Sequence, residues 1–99
     1  MTIAYVTEHN QLAKDTVRGP LLVGEGAGTE QVVNYTAGAT QSSPFGADTH
    51  IIRFHTDAAC HIAFGTNPTA AAATSRRLAA NQTEFFHVTP GEKISIITA

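Results

Sequence analysis

Apolar and polar side chains alternate along much of the chain, and the alternating stretches are rich in β-branched and aromatic residues. This pattern of period two, bounded by clusters of Gly, Pro, Asn, Asp or Thr, is typical of β-strands, whose side chains point alternately to the two faces of a sheet. Short strands at spacings of roughly ten residues predict an all-β fold, a single small antiparallel β-sandwich or jelly-roll-like barrel of about seven to eight strands. The clearest predicted strands are 2–7, 16–24, 31–37, 50–56, 60–65, 83–89 and 93–99.

The stretch NPTAAAATSRRLAAN, residues 67–81, is the best candidate for a helix, because its four consecutive alanines have the highest helix propensity of any residue. Its apolar residues do not recur at helical spacing, however, so a helix there would have no apolar face to bury. We therefore predict an irregular connection that ends in a short strand around 77–79, with Leu78 pointing inward.

Three short segments carry the chemistry of turns: GEGAG at 24–28, TDAA at 56–59 and TPGEK at 89–93. The second and third are predicted to close hairpins between consecutive antiparallel strands. The longer stretch GATQSSPFGAD, 38–48, is polar and rich in glycine, and we expect it to form either an exposed loop or a loop that contacts a partner.

Length and charge limit the kinds of partner. A chain of 99 residues predicts one domain, 1–99, and such a small domain gains stability from association. The net charge is only -2, and the one basic pair is Arg76 and Arg77, so no nucleic-acid surface is expected. Charged residues make up 14% of the chain, against roughly 25% in typical soluble proteins, which favours a chain that packs against its neighbours.

The single cysteine excludes an internal disulfide, and the N-terminal residues lack the basic and apolar regions of a signal peptide. No apolar run approaches the length of a membrane span, so we expect no membrane contact and synthesis in the cytoplasm.

Three of the five histidines and the only cysteine lie in the segment 48–68, which raises the question of a metal site or a nucleophile. On a strand 60–65, Cys60 shares a face with Ile62 and Phe64, whereas His61 points to the opposite face. Cys60 is therefore predicted to be a small core residue beside Ile52 and Phe54 rather than a thiolate with a histidine base.

Across the predicted hairpin, His55 and His61 would face each other on its outer side, near Asp57 in the turn. With His50 or His87 they could hold a Zn or Ni ion, but a closed zinc site needs four ligands at characteristic spacing. Solvated or subunit-interface histidines are the favoured interpretation. No serine, histidine and carboxylate pattern supports catalysis, so we predict no enzyme activity, no metal and no cofactor.

The C-terminal half also carries a series of short motifs with a recognisable order. These motifs are Ile52 and Arg53, CHIAFG at 60–65, PTA at 68–70, Ser75 with Leu78, TEFF at 83–86, Val88 and PGEKI at 90–94. In these motifs the C-terminal half resembles small β-sandwich proteins encoded among the structural genes of tailed bacteriophages and prophages, whereas the N-terminal half shows no such resemblance.

The resemblance implies a protein of the virion, made in the bacterial cytoplasm: a capsid decoration or cement subunit, or an accessory piece of the neck, tail or fibre. Its expected partners are copies of itself and the major capsid protein or other virion proteins. A carbohydrate-binding or receptor-binding sandwich is an alternative, but it needs an exposed aromatic platform, and the chain has no Trp and two Tyr.

The residues expected to contact a partner lie in the first strand, the long loop and the alanine-rich connection. Phe45 is either an exposed apolar anchor or a side chain tucked under its own loop. The expected contact residues are Tyr5, Pro44, Phe45, Asn67, Arg76 and Arg77.

Overall fold

The computed structural model of the chain describes residues 2–9, 12–15, 19–24 and 30–99, and in the second and third of these ranges it defines the backbone alone. These residues form ten β-strands and no helix. The strands are β1 (Ile3–His9), β2 (Leu12–Asp15), β3 (Gly19–Gly24), β4 (Glu30–Asn34), β5 (Thr40–Gln41), β6 (Ile51–Thr56), β7 (Cys60–Gly65), β8 (Arg76–Leu78), β9 (Thr83–His87) and β10 (Lys93–Thr98).

Eight of the strands build two four-stranded antiparallel sheets, and β2 and β3 pair separately. The first sheet has the order β4-β1-β6-β9 and the second sheet the order β5-β10-β7-β8. The two sheets enclose one apolar core, so the predicted all-β sandwich is confirmed. Its buried apolar residues are Ala4, Val6, Val33, Tyr35, Phe45, Ile52, Phe54, Cys60, Ile62, Leu78, Val88, Ile94 and Ile96.

Each predicted strand is found among the described residues, with ends that differ by a few residues, and residues 16–18 of the predicted strand 16–24 lie outside them. The connection between β7 and β8 is irregular, and the short strand after it buries Leu78, as the sequence predicts. The pattern gave no sign of β2 or of the two-residue strand β5. Within the described residues, no helix is long and apolar enough to cross a membrane.

The two predicted hairpins are wrong. Residues 56–59 connect β6 in the first sheet to β7 in the second, and residues 89–93 connect β9 in the first sheet to β10 in the second. Both segments reverse the direction of the chain, but each leads to a strand of the opposite sheet instead of a second strand of the same sheet. The predicted turn at 24–28 lies outside the described residues except for its first one.

The crossing at 89–93 contains a tight turn that requires glycine. The Glu92 amide donates to the Thr89 carbonyl at 3.1 Å, and Gly91 has a φ of 85°, as at the third position of a type II turn after proline. A side chain at Gly91 would meet open space, so the cost of adding one is the backbone strain alone.

Replacing Gly91 with alanine is therefore expected to lower the free energy of unfolding by about 1 kcal/mol. The measurement is urea unfolding followed by circular dichroism. Asn tolerates positive φ better than Ala does, so the matched variant Gly91→Asn should lose less stability. Equal losses in the two variants would show that φ is not the cause.

Candidate interaction surface

The side of the first sheet that faces away from the core, called the outer face below, is formed by alternate residues of its four strands, of which Thr7 and His9 on β1 are buried. Val32, Tyr5 and His55 are cross-strand neighbours in one row. Arg53 and Phe85 are neighbours in the next row. Val32 is 64% exposed, Tyr5 39% and Phe85 38%, so the outer face presents apolar side chains to solvent.

Weak contacts among its polar and aromatic side chains order this surface. The Tyr5 and His55 rings lie 6.3 Å apart, and Nδ1 of His55 is 2.7 Å from the Thr83 hydroxyl. Nε2 of His55 is 3.8 Å from Oδ1 of Asp57, so a protonated His55 would have a partly exposed carboxylate beside it. The outer face is thus an aromatic and histidine-containing surface with little net charge.

Five of the six predicted contact residues are exposed, and they lie in different places. Tyr5 is on the outer face, Pro44 is on the long loop, and Asn67 accepts a hydrogen bond from Gln41 at 2.8 Å. Arg76 and Arg77 are neighbours on β8 but point to opposite faces of the second sheet, because Leu78, two residues after Arg76, is buried in the core.

Phe45 is not an exposed anchor. Its side chain is 3% exposed and belongs to the core, which is the tucked alternative left open by the sequence. Its amide donates to the Glu92 carbonyl at 2.8 Å, and its carbonyl accepts from the Gly91 amide at 3.0 Å. Phe45 therefore fixes the long loop through both its backbone hydrogen bonds and its buried side chain. The expectation that Phe45 contacts a partner is corrected.

A buried carboxylate, which the sequence analysis did not single out, holds the same loop to the first sheet. Glu8, on β1, is 4% exposed. One of its oxygens accepts from the Gly46 amide at 2.9 Å and the Thr49 hydroxyl at 2.7 Å, and the other accepts from the Gln31 side chain at 2.9 Å. Burial alone would raise the pKa of Glu8, but these three donors together lower it below its usual range.

The histidines and the cysteine of the segment 48–68 do not form one site. His55 lies on the first sheet and His61 on the second, where His61 is buried with Nδ1 3.1 Å from the Ser75 carbonyl. The prediction that His55 and His61 face each other is wrong, because the hairpin that would bring them together does not form. Within the described residues, no three His, Cys, Asp or Glu side chains are grouped closely enough to hold a metal.

The Cys60 thiol is fully buried beside Thr56 and Tyr35, as the core interpretation predicts. Burial raises its pKa, although hydrogen bonds from those two residues and the charge of Arg77 act in the opposite direction. The Tyr35 hydroxyl lies 2.6 Å from the Thr56 hydroxyl and 3.0 Å from the Ala58 carbonyl, and burial raises its pKa as well. A thiol with a raised pKa and no access from solvent is a poor nucleophile.

The hydroxyls of Ser42 and Ser75, in two of the loops, are bonded to backbone groups. Ser42 accepts from the Ile94 amide at 3.1 Å, and Ser75 accepts from the Ala71 amide at 2.9 Å. Neither serine has a described histidine as a hydrogen-bond partner of its hydroxyl. These side chains stabilise connections, and the outer face is the best candidate for a functional surface in the part of the chain that the structure describes.

Comparison of the chain with models of protein families, with curated proteins and with solved structures finds no significant match.

Proposed function

We propose that the protein is a noncatalytic structural subunit of a tailed-phage virion, most specifically a capsid decoration or cement protein that self-associates and bridges neighbouring capsid subunits. The observation that carries the proposal is the outer face, where Tyr5, Val32 and Phe85 remain exposed on a regular sheet. Exposed apolar side chains grouped on one face of a soluble domain mark contact surfaces.

The chemistry of the outer face suits a partner that offers many identical binding positions. Its apolar area is small, so one contact would be weak, but a subunit bound at repeated positions of a particle gains from multivalency. The low charge of the chain and the resemblance of its C-terminal half to phage structural proteins support the same function. The close alternative is an accessory protein of the neck, tail or fibre, which would use the same surface.

Sugar binding is less well supported. Carbohydrate sites stack their ligands on exposed aromatic rings, yet Tyr35 is buried and Tyr5 is the tyrosine that remains on the surface. Tyr5 lies between Val32 and His55 in one cross-strand row of the outer face.

The test is co-sedimentation with expanded capsids built from the major capsid protein encoded with this chain. Val32→Lys places a charge at the most exposed apolar residue of the outer face, on the edge strand β4, and we expect it to weaken binding by at least about tenfold. Ala72→Lys introduces a lysine at an exposed position in the connection before β8, and this variant should bind like the wild type.

Failure of the wild-type protein to bind capsids would overturn the decoration function, and binding to purified tails instead would favour the accessory alternative. Equal binding by the two lysine variants would show that the outer face is not the contact surface.

A further inference from the structure

Strand β9 is an edge strand of the first sheet, and among the described residues no strand pairs with its outer edge, called the open edge below. The Gln82 carbonyl accepts from the Thr56 amide, and the Val88 amide donates to the His50 carbonyl, so the even-numbered residues of this segment direct their backbone groups towards β6. Backbone groups alternate between the two edges of a strand. Thr83, Phe85 and His87 therefore present their N–H and C=O groups to the open edge.

The open edge lacks three of the features that prevent pairing with another chain, although β9 is short and carries one charged residue, Glu84. Natural edge strands are protected by lysine, proline or bulges. The sequence of β9 is TEFFH, and its register with β6 is regular from Thr83 to His87. An extended segment of the same length could therefore add to this edge without rearrangement of the sheet.

A cation without an acidic partner lies beside the same edge. Arg76, on β8, reaches across the side of the sandwich and places its guanidinium 5.2 Å from the centre of the Phe86 ring. Phe86 also packs against Phe64, whose ring centre is 5.3 Å away. Among the described residues, no carboxylate lies within salt-bridge distance of Arg76.

We propose that β9 pairs antiparallel with β9 of a second copy, about a two-fold axis that relates the two Phe85 residues. In this register Phe85 faces Phe85 of the second copy, Thr83 faces His87, and all three residues that present backbone groups to the edge are paired. The two first sheets become one continuous sheet. The interface is isologous, since each copy contributes the same strand.

Charge complementarity selects this partner and this register. Glu84 of the second copy lies directly opposite Phe86, at the distance where cross-strand side chains meet, and so beside the guanidinium of Arg76. The two-fold axis repeats this ion pair, so each copy supplies one arginine and one glutamate. A register shifted to bring Glu84 opposite Glu84 of the second copy would set like charges against each other.

This inference rests on the proposed function to the extent that it names the contact through which the subunit associates with itself. It also has a consequence for that function. Pairing at β9 places two outer faces side by side on one sheet, so a dimer would offer two contact surfaces to a particle in a fixed relative orientation.

The experiment is sedimentation velocity over a concentration series of the purified protein, without capsids. An edge contact of this limited size predicts a dimer with a dissociation constant on the order of 10 μM. Glu84→Arg and Arg76→Glu each set like charges together and should raise that constant by at least about tenfold. The chain that carries both changes restores opposite charges and should dimerise again.

Arg77→Glu is the matched control, because it changes the charge of the neighbouring residue on the opposite face of β8 and should leave the dimer unchanged. Phe85→Pro is an independent variant: the Phe85 amide faces the open edge, so proline should abolish the dimer while leaving the pairing of β9 with β6 intact. Circular dichroism verifies that each variant is folded.

A wild-type protein that stays monomeric at 1 mM, a concentration chosen about a hundredfold above the expected constant, would overturn the inference. So would a dimer that is insensitive to the charge reversals and to proline, since it must use another surface. In either case binding to capsids is measured separately, so failure of the edge contact is distinguishable from failure of the decoration function.

Discussion

Replacement of Phe45 by alanine is expected to lower the free energy of unfolding by about 3–5 kcal/mol, the usual cost of removing a buried phenylalanine ring. The ring is 3% exposed and fills the core beneath the long loop. Small domains are stable by only about 5–15 kcal/mol, so the loss would be a large part of the total. The measurement is urea unfolding, with the midpoint and the slope compared between the variant and the wild type.

Pro44, the exposed neighbour of Phe45, supplies the matched control. Pro44→Ala should change the free energy of unfolding by no more than about 0.5 kcal/mol. A small loss of stability in Phe45→Ala together with a loss of binding to a partner would contradict the core position and return Phe45 to the role of a surface anchor.

Removal of the Glu8 carboxylate is expected to cost about 3 kcal/mol, because Glu8→Ala leaves three donors without their acceptor. The affected donors join the long loop and β4 to β1. Loosening of the loop should therefore accompany the loss of stability, and hydrogen exchange at the Gly46 amide is a direct readout.

The same carboxylate predicts a dependence of stability on pH. The pKa of Glu8 is lowered in the folded protein from its ordinary value of 4.5, so its ionised form contributes stability that is fully present above that value. This contribution is lost as the pH falls through the lower folded pKa. Glu8→Gln should lack that part of the acid dependence, whereas Glu30→Gln, at an exposed position on β4, should retain it.

The alternation of side chains predicted the strands well because it is a local property. In β6, Ile52 and Phe54 are buried and Arg53 is exposed, as period two requires. The same argument placed Cys60 and Leu78 in the core. Each of these predictions needs only the strand itself and one apolar sheet face.

Pairing between strands could not be predicted in the same way. The segments TDAA and TPGEK contain residues that favour a reversal of the chain. Whether the next strand then joins the same sheet or the opposite sheet depends on the core that it must cover. That difference decides whether His55 and His61 are neighbours across a ladder or lie on different sheets. The local sequence is compatible with both outcomes.

Phe45 and Glu8 show a second limit of the sequence pattern. Phe45 is a single aromatic residue in a polar loop, so no periodicity indicates the face on which it lies. Glu8 shares a face of β1 with the core residues Ala4 and Val6, and nothing local in the sequence indicates the donors that the long loop supplies to its carboxylate. Phe64 is the opposite case: the alternation of side chains predicts that it lies in the core, but its ring is 36% exposed at the side of the sandwich. Burial at the ends and edges of a small sandwich is set by connections that are distant in sequence.

The position of β10 has a consequence for the synthesis of the protein. β10 lies inside the second sheet, with β5 on one side and β7 on the other. A ribosome adds about 5–20 residues each second, and until residues 93–98 have emerged, β5 and β7 have no strand between them to pair with. The second sheet therefore cannot be completed before residues 93–98 have been synthesised and have emerged.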